Sequence, residues 1–175
     1  KADKAYAKGR IKLKIPNAEI SEIFREAVVA RFHRTLDVSG VNAFITAMWN
    51  KDERAASGCL TDILWNSISY FDYGEDYYHG ILNGLFTSRG YVVDSNDEAG
   101  LGRLDLRVRD RVNRRVLLLE FKRSVTEADL DRDCEAAVGQ IAANGYAEVM
   151  PEGYEQQIVY GIAFFGKKAK VRLMN

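Results

Sequence analysis

Two adjacent segments in the second half of the chain have the hydrophobic pattern of β-strands. Arg103–Arg109 alternates polar and apolar residues, as expected for a strand with one face in water. Val116–Lys122 is apolar up to Leu119, which indicates a strand that is buried on both faces until its last residues. A polar connector centred on Val112 and Asn113 separates the two segments. The pattern therefore predicts a β-hairpin.

Helical spacing of apolar residues dominates the first half of the chain. After a short strand over residues 11–15, the pattern predicts four helices: Pro16–Phe32, one that follows a break at Ser39-Gly40 and runs to Trp49, Glu53–Phe71 and Glu75–Ser88. Trp49 and Trp65 are interpreted as core residues. A strand over Tyr91–Ser95 follows, and then a glycine-containing loop over Asn96–Gly102.

A further helix and two strands are predicted after the hairpin. Thr126 is a suitable N-cap for a helix that begins with acidic residues and ends near Asn144-Gly145. Ile158–Phe165 and Lys170–Leu173 complete the sheet. The order of the elements predicts an α/β sandwich whose sheet has mixed strand directions.

Charged residues near the ends of the two hairpin strands are the candidate chemistry. If Val112-Asn113 is a two-residue loop, Asp105 faces Glu120 on one side of the sheet, beside Lys122. Two opposed carboxylates repel each other, whereas a bound divalent cation removes the conflict and activates water. The alternative is that these charges only mark where the strands meet water. A one-residue bulge would also change the register.

Composition limits the class of protein. The 175 residues, 47% hydrophobic and 29% charged, suit one globular domain or one domain with a small appendage. No apolar run approaches the roughly 18 to 20 residues of a membrane span, and no secretory leader is recognised. A start at Lys1 without methionine suggests a fragment of a longer protein. Scattered Cys59 and Cys134 suggest reduced thiols in a cytoplasmic protein and argue against a zinc finger.

Charge is balanced overall but clustered locally. The formal net charge is zero, so the whole chain does not indicate nucleic-acid binding. Basic residues nevertheless crowd the first segment, the hairpin and the tail, while acidic residues crowd 127–135. The basic cluster of the hairpin could attract a polyanion towards the acidic pair. Solvated strand faces are the alternative interpretation, and for the two termini it is the preferred one.

A longer set of residues resembles a known family. An aspartate on one strand and a Glu-x-Lys on the next resemble the PD-(D/E)xK nuclease superfamily, although Leu104 stands where the motif has proline. Within it, the chain is similar over residues 72–173 to the nuclease-like C-terminal domain of large bacterial AAA-ATPase-like proteins. The residues that carry this likeness are Tyr78-His79-Gly80, Gly90-Tyr91, Ser95-Asn96, Glu98, Gly100, Gly102-Arg103-Leu104-Asp105, Glu120-Phe121-Lys122, Ala136, Gln140-Ile141, Tyr146 and Gly161-Ile162-Ala163-Phe164.

The resemblance implies a fold and a domain division. It implies a restriction-endonuclease-like mixed α/β sheet flanked by helices and preceded by an N-terminal helical segment. Residues 1–55 would be the linker from an upstream ATPase-like module, and residues 56–175 the nuclease-like domain. The chain contains no phosphate-loop motif of the Gly-x-x-x-x-Gly-Lys-Ser/Thr type, so ATPase activity would lie outside it.

The resemblance also implies roles for individual residues. Asp105 and Glu120 would bind Mg²⁺ or Mn²⁺ with the Phe121 carbonyl, and Lys122 would orient or deprotonate the attacking water. Further candidates are Glu98 as another metal ligand, Gln140 as a catalytic residue, and Arg103 and His79 as contacts to nucleic acid. Glu98 is otherwise an ordinary loop acid, and Arg103 could instead pair with a carboxylate. Superfamily members often supply an extra acid from the helix that carries Glu75 and His79, and the alternative is that these two residues are a surface pair four residues apart.

These observations favour a metal-dependent nuclease that hydrolyses phosphodiester bonds, with DNA as the favoured substrate. One alternative is a catalytically silent nuclease-like fold that binds nucleic acid or a protein partner for its ATPase. A weaker alternative is a helical adaptor built on residues 17–71. The intact Asp105, Glu120 and Lys122 favour the enzyme, because a binding module has no need of all three.

Overall fold

The computed structural model describes residues 38–67, 75–99 and 102–174, without the side chains of residues 75–76, 96–99 and 102–103. The predicted strand over residues 11–15 and helix over residues 16–32 lie outside the described part. Residues 35–175 form one compact unit. The predicted domain boundary after residue 55 stays a prediction. Within the described residues, no helix is long and apolar enough to cross a membrane.

The described chain contains four α-helices and five strands. In chain order they are α1 (Val38–Trp49), α2 (Glu53–Ser67), α3 (Glu75–Thr87), β1 (Val92–Ala99), β2 (Gly102–Asp110), β3 (Arg115–Arg123), α4 (Leu130–Ala143), β4 (Gln156–Phe165) and β5 (Lys168–Leu173). Single 3-10 turns lie on either side of α4, over Glu127–Asp129 and Tyr146–Glu148.

The strands form one sheet in the order β1-β2-β3-β4-β5. The pair β3–β4 is parallel, and the other three neighbouring pairs are antiparallel. A parallel pair needs a crossover connection, and α4 supplies it between β3 and β4. The predicted mixed α/β sheet flanked by helices is therefore confirmed.

Burial of apolar stripes attaches helices to the sheet. The predicted stripe of α3 is buried as expected, and its Tyr78 ring stacks on Phe164 of β4 at 4.2 Å between centroids. On α4, Ile141 packs with Val116 and Leu118 of β3. Helix α3 thus lies against β2 and β3, and α4 lies against β3 and β4.

Helix α2 covers the outer edge of β5 with polar side chains. The backbone N–H groups of β5 at Ala169, Val171 and Leu173 donate to Thr61 Oγ1, Ser57 Oγ and Glu53 Oε1, at 3.1, 2.9 and 2.6 Å. An uncovered strand edge is a template for unwanted pairing, so these bonds protect the sheet on this side.

Some sequence predictions need correction. Helix α1 begins at Val38 and includes the Ser39-Gly40 pair that was expected to precede it. The predicted loop over Asn96–Gly102 is wrong, because β1 continues through Ala99 in antiparallel pairing with β2. Polar residues and glycine suggested a loop there, but the edge of a sheet also accepts polar residues. Trp65 is 52% exposed and does not belong to the core.

Candidate active site

Strands β2 and β3 separate just before the predicted carboxylate pair. Their ladder follows the predicted register from the Asp110–Arg115 pair to the Leu106–Leu119 pair, across a four-residue turn rather than a two-residue loop. Beyond that pair, the Asp105 carboxylate replaces a backbone acceptor of the ladder. Its Oδ2 accepts a hydrogen bond of 2.7 Å from the Phe121 backbone N–H. The side chain thus satisfies a donor that the ladder leaves open.

A histidine of α3 holds the backbone of Asp105. His79 Nε2 lies 2.9 Å from the Asp105 carbonyl oxygen and 3.0 Å from Ser95 Oγ on β1. A carbonyl oxygen only accepts hydrogen bonds, so His79 Nε2 donates to it. Asp105 is therefore fixed at two points, its carboxylate by β3 and its carbonyl by α3.

Glu120 is a buried carboxylate with one oxygen unsatisfied. Its side chain is only 3% exposed. Glu120 Oε1 accepts a short hydrogen bond from Gln140 Nε2. Glu120 Oε2 is buried and has no hydrogen-bond partner among the described residues. A buried carboxylate oxygen without a donor is costly, which suggests that the site is built for a further group.

Gln140 connects the two charges of β3. Its Oε1 accepts from Lys122 Nζ at 2.5 Å, while its Nε2 donates to Glu120. Lys122 Nζ also lies 3.6 Å from Glu120 Oε1. An amide is suited to this position because it presents an acceptor to the ammonium and a donor to the carboxylate.

A glycine allows α4 to bring Gln140 to this position. Gly161 of β4 is registered beside Glu120. A Cβ on Gly161 would lie 2.9 Å from Ala137 Cβ and would also overlap the Cys134 carbonyl oxygen. The absence of a side chain therefore lets α4 pack closely over the sheet beside Glu120. In the sequence, Gly161 is recognisable only as part of the family resemblance, because this role depends on tertiary packing.

The surroundings of Glu120 and Asp105 favour the neutral form of both carboxyl groups. Burial, followed by the charge of Asp105, raises the pKa of Glu120 to about 7, although Lys122 offsets part of the effect. Burial also raises the pKa of Asp105, against the opposing effects of the Phe121 N–H, His79 and Lys122. Burial raises the pKa of both carboxyl groups, and the effect of the Asp105 charge on the pKa of Glu120 indicates that the two groups lie close together.

Tyr146 is a neighbour that the sequence analysis gave no functional role. It is buried against Leu118, and its hydroxyl accepts a hydrogen bond of 2.9 Å from Asn144 Nδ2. Burial raises its pKa, and the charges of Glu120 and Asp105 contribute. Gln140 and Asn144 are one helical turn apart. Because Asn144 contacts Tyr146, this spacing could have indicated that Tyr146 lies near the site.

The other predicted site residues have different outcomes. The backbone of Glu98 pairs with that of Arg103 across β1 and β2, but both side chains lie outside the described part. Their roles as metal ligand and phosphate contact stay predictions. His79 directs Nε2 at the protein backbone, and its contact with nucleic acid also stays a prediction. The Glu75 side chain also lies outside the described part of the structure.

Within the described residues, many basic side chains of the hairpin and the tail have acidic partners. In the hairpin region the ion pairs are Arg109–Asp94, Arg114–Glu155 and Arg115–Asp110, and in the tail they are Lys168–Glu127, Lys170–Asp131 and Arg172–Glu135. The acidic segment 127–135 thus faces the basic strand β5. The tail pairs agree with the interpretation that the basic tail is an ordinary strand face rather than a nucleic-acid surface.

The donor atoms at the site suit a hard divalent cation. Carboxylate oxygens are the ligands that Mg²⁺ and Mn²⁺ prefer, and the unpaired Glu120 Oε2 is available to such an ion. Among the described side chains, no group of three or more His, Cys, Asp or Glu residues could hold a metal. Mg²⁺ does not require one, because it usually keeps several waters and binds through one or two carboxylates.

Comparison with known protein families agrees with this geometry. A model of the PD-(D/E)XK nuclease superfamily matches residues 73–173, more than half of the chain. The chain belongs to the PD-(D/E)XK nuclease superfamily. PD-(D/E)XK proteins are typically nucleases, and they generally use divalent metals such as Mg²⁺ or Mn²⁺. No curated protein and no solved structure matches the chain.

Proposed function

We propose that this PD-(D/E)XK protein is a metal-dependent nuclease that hydrolyses phosphodiester bonds, with DNA as its substrate. The supporting observation is the convergence of Asp105, Glu120 and Lys122 on one buried region, with Glu120 Oε2 lacking a partner. Two carboxylates that repel each other destabilise the fold unless a cation joins them. The arrangement is therefore more useful for chemistry than for stability.

Each residue has a distinct part in the proposed reaction. Asp105 Oδ1, Glu120 Oε2 and the Phe121 carbonyl would hold Mg²⁺ or Mn²⁺, which supplies Lewis-acid activation of water and neutralises charge on the phosphate. Lys122 orients the attacking water and stabilises the negative charge that develops on the phosphoryl oxygens. Gln140 positions Lys122 and Glu120 rather than touching the substrate. Attack forms a bond from the water oxygen to phosphorus, breaks one P–O ester bond and transfers a proton to the departing oxygen.

The test is cleavage of plasmid and oligonucleotide DNA with Mg²⁺ or Mn²⁺. We expect Asp105→Asn and Lys122→Met to lower the cleavage rate by about 10²-fold to 10³-fold each, because each removes a charge from the transition state. Matched controls are Asp94→Asn, on the neighbouring strand, and Lys170→Met, on β5, which should cleave at the normal rate.

Several results would contradict the proposal. One is a wild-type protein that cleaves neither DNA nor RNA with either metal. Another is full activity in both Asp105→Asn and Lys122→Met. Retained binding of nucleic acid without any cleavage would instead support the silent binding module.

We further propose that the domain works at the C-terminus of an ATPase-like protein, as its sequence resemblance implies. Coexpression of the chain with an upstream ATPase-like module provides the test. Nucleotide-dependent changes in cleavage rate would support the assignment, and cleavage that is indifferent to nucleotide would contradict it.

A further inference from the structure

An aromatic and basic surface lies at the same end of the sheet as Lys122. We name it the strand-end surface and define it by Trp65, Phe165 and Lys167. Trp65 and Phe165 are 52% and 37% exposed, which is unusual for large apolar side chains. Lys167 Nζ lies 5.0 Å from the centre of the Trp65 ring and donates to the Trp65 carbonyl oxygen at 3.3 Å, so the cation is held beside the aromatic ring.

The strand-end surface continues directly from the candidate active site. Strands β3 and β4 are parallel, so their carboxyl ends meet at one edge, where Lys122 is registered with Ala163. Phe165 follows Ala163 by two residues, about 6.6 Å along the strand and on the same face of the sheet. Arg123, the next residue after Lys122, is exposed but lies on the opposite face of the sheet and does not belong to this surface. Lys167 is in the turn that follows β4.

The chemistry of this surface fits unpaired nucleotides. Aromatic side chains that stack on bases and cations that contact phosphates are the usual elements of a site for single-stranded nucleic acid. Bases in a duplex are already stacked and cannot lie on an aromatic ring without unpairing. Most of the basic residues elsewhere in the hairpin and tail that could bind duplex phosphates are ion-paired within the protein.

We propose that Trp65, Phe165 and Lys167 bind a single-stranded segment of nucleic acid that leads to the scissile phosphate beside Lys122. The substrate class is therefore a strand with an unpaired segment rather than an uninterrupted duplex. The inference depends on the proposed nuclease function for its biological meaning, but not for its measurement. Binding is measured in chelator, where no cleavage occurs.

The tryptophans of the chain allow a direct measurement. The chain has two, and Trp49 is buried at 6% exposure, whereas Trp65 is exposed. Stacking of a base on Trp65 should quench its fluorescence. We expect oligothymidylate to quench the wild-type protein, and the matching duplex of the same length to leave the emission unchanged. Trp49→Phe should keep the quenching, and Trp65→Phe should lose it.

Variants test each part of the strand-end surface through fluorescence anisotropy of labelled oligothymidylate. Trp65→Ala should weaken binding about 10-fold, and Trp65→Phe less, because a ring remains for stacking. Lys167→Ala should weaken binding and reduce its salt dependence. Val112→Ala and Arg111→Ala, at the turn between β2 and β3, are matched controls that should bind normally.

The outcomes separate this inference from the proposed activity. Unchanged Trp65 emission on adding oligothymidylate, or equal binding of duplex and single strand, would overturn the inference whether or not the protein cleaves. Quenching together with weaker binding by Trp65→Ala would support it even if no metal produced cleavage, in which case only the hydrolysis proposal fails.

Discussion

The buried carboxyl group of Glu120 lowers the stability of the fold when it ionises, and a bound cation would remove this loss. Its pKa of about 7 in the folded chain exceeds the ordinary value of 4.5, because burial and Asp105 oppose its ionisation. Below pH 4.5 the folded and unfolded states are both protonated. Between pH 4.5 and 7 the unfolded chain releases a proton that the folded chain retains. The protein without metal therefore loses stability as the pH rises through this window.

Replacing the charge with an amide should reverse this loss. In chelator at pH 8, we expect Glu120→Gln to raise the free energy of unfolding by about 1 to 3 kcal/mol, and to have little effect at pH 4.5. Urea denaturation at the two pH values measures the difference. Glu155→Gln, an exposed residue paired with Arg114, is the control and should gain nothing at pH 8. An equal gain at both pH values would contradict the electrostatic explanation.

Substitution of His79 tests whether its hydrogen bond positions Asp105. His79 contacts the backbone of Asp105 rather than its carboxylate. We expect His79→Ala to lower kcat about 10-fold by loosening the metal ligand. His79→Gln should recover most of the rate, since its amide nitrogen can donate to the same carbonyl. Steady-state cleavage of an oligonucleotide provides the measurement. A rise in KM with unchanged kcat would instead support the predicted contact with nucleic acid.

At the scale of elements, the packing of α4 on β4 sets the position of Gln140. Gly161→Ala would push α4 away from the sheet, because the added methyl group meets Ala137 and the backbone of α4. We expect a loss of about 1 to 3 kcal/mol in stability and a lower cleavage rate in the molecules that remain folded. Thermal unfolding and single-turnover cleavage check the two effects.

Gly139→Ala is the matched control, since it is the same substitution one residue before Gln140. An added Cβ there has no neighbour within 4 Å. We expect it to stabilise the exposed helix by roughly 0.5 to 1 kcal/mol and to leave cleavage unchanged. If Gly161→Ala behaved like Gly139→Ala, the close approach of α4 would not matter to the site.

For the whole molecule, a bound cation should act as a stabilising ligand. At pH 8 we expect Mn²⁺ or Mg²⁺ to raise Tm, by the equivalent of about 2.7 kcal/mol when the ion is present at 100 times its Kd. Asp105→Asn should abolish the shift, and Asp94→Asn should keep it. A thermal-shift titration measures this without any cleavage. An identical shift in wild type and Asp105→Asn would indicate binding elsewhere.

Much of the architecture could be predicted because hydrophobic periodicity reports local structure directly. The stripe of α3 and the strands on either side of the turn at Val112 and Asn113 are examples. The length of β1 could not be predicted, since Asn96–Ala99 is polar and its strand form depends on pairing with β2. The exposure of Trp65 was also missed, because apolar spacing does not show where a neighbouring element ends.

The grouping of Asp105, Glu120 and Lys122 followed from register, which the turn between β2 and β3 determines locally. Gln140 was predicted as a catalytic residue from the family resemblance. The bond from the Phe121 N–H to Asp105 could not be predicted, because it depends on where two strands separate. The same is true of the closeness of α4 at Gly161, which is a property of tertiary packing.

The side chains of α2 can protect the outer edge of β5 only over a limited length. Four residues of α-helix advance about 6.0 Å, whereas the two strand residues between outward N–H groups advance about 6.8 Å. The mismatch grows by about 0.8 Å per step, so helix and strand lose alignment after a few contacts. Three contacts are present, and Glu53, whose side chain has the longest reach of the three acceptors, lies at one end of the series. Lengthening α2 would therefore not extend the protected edge, and a longer β5 would need another shield.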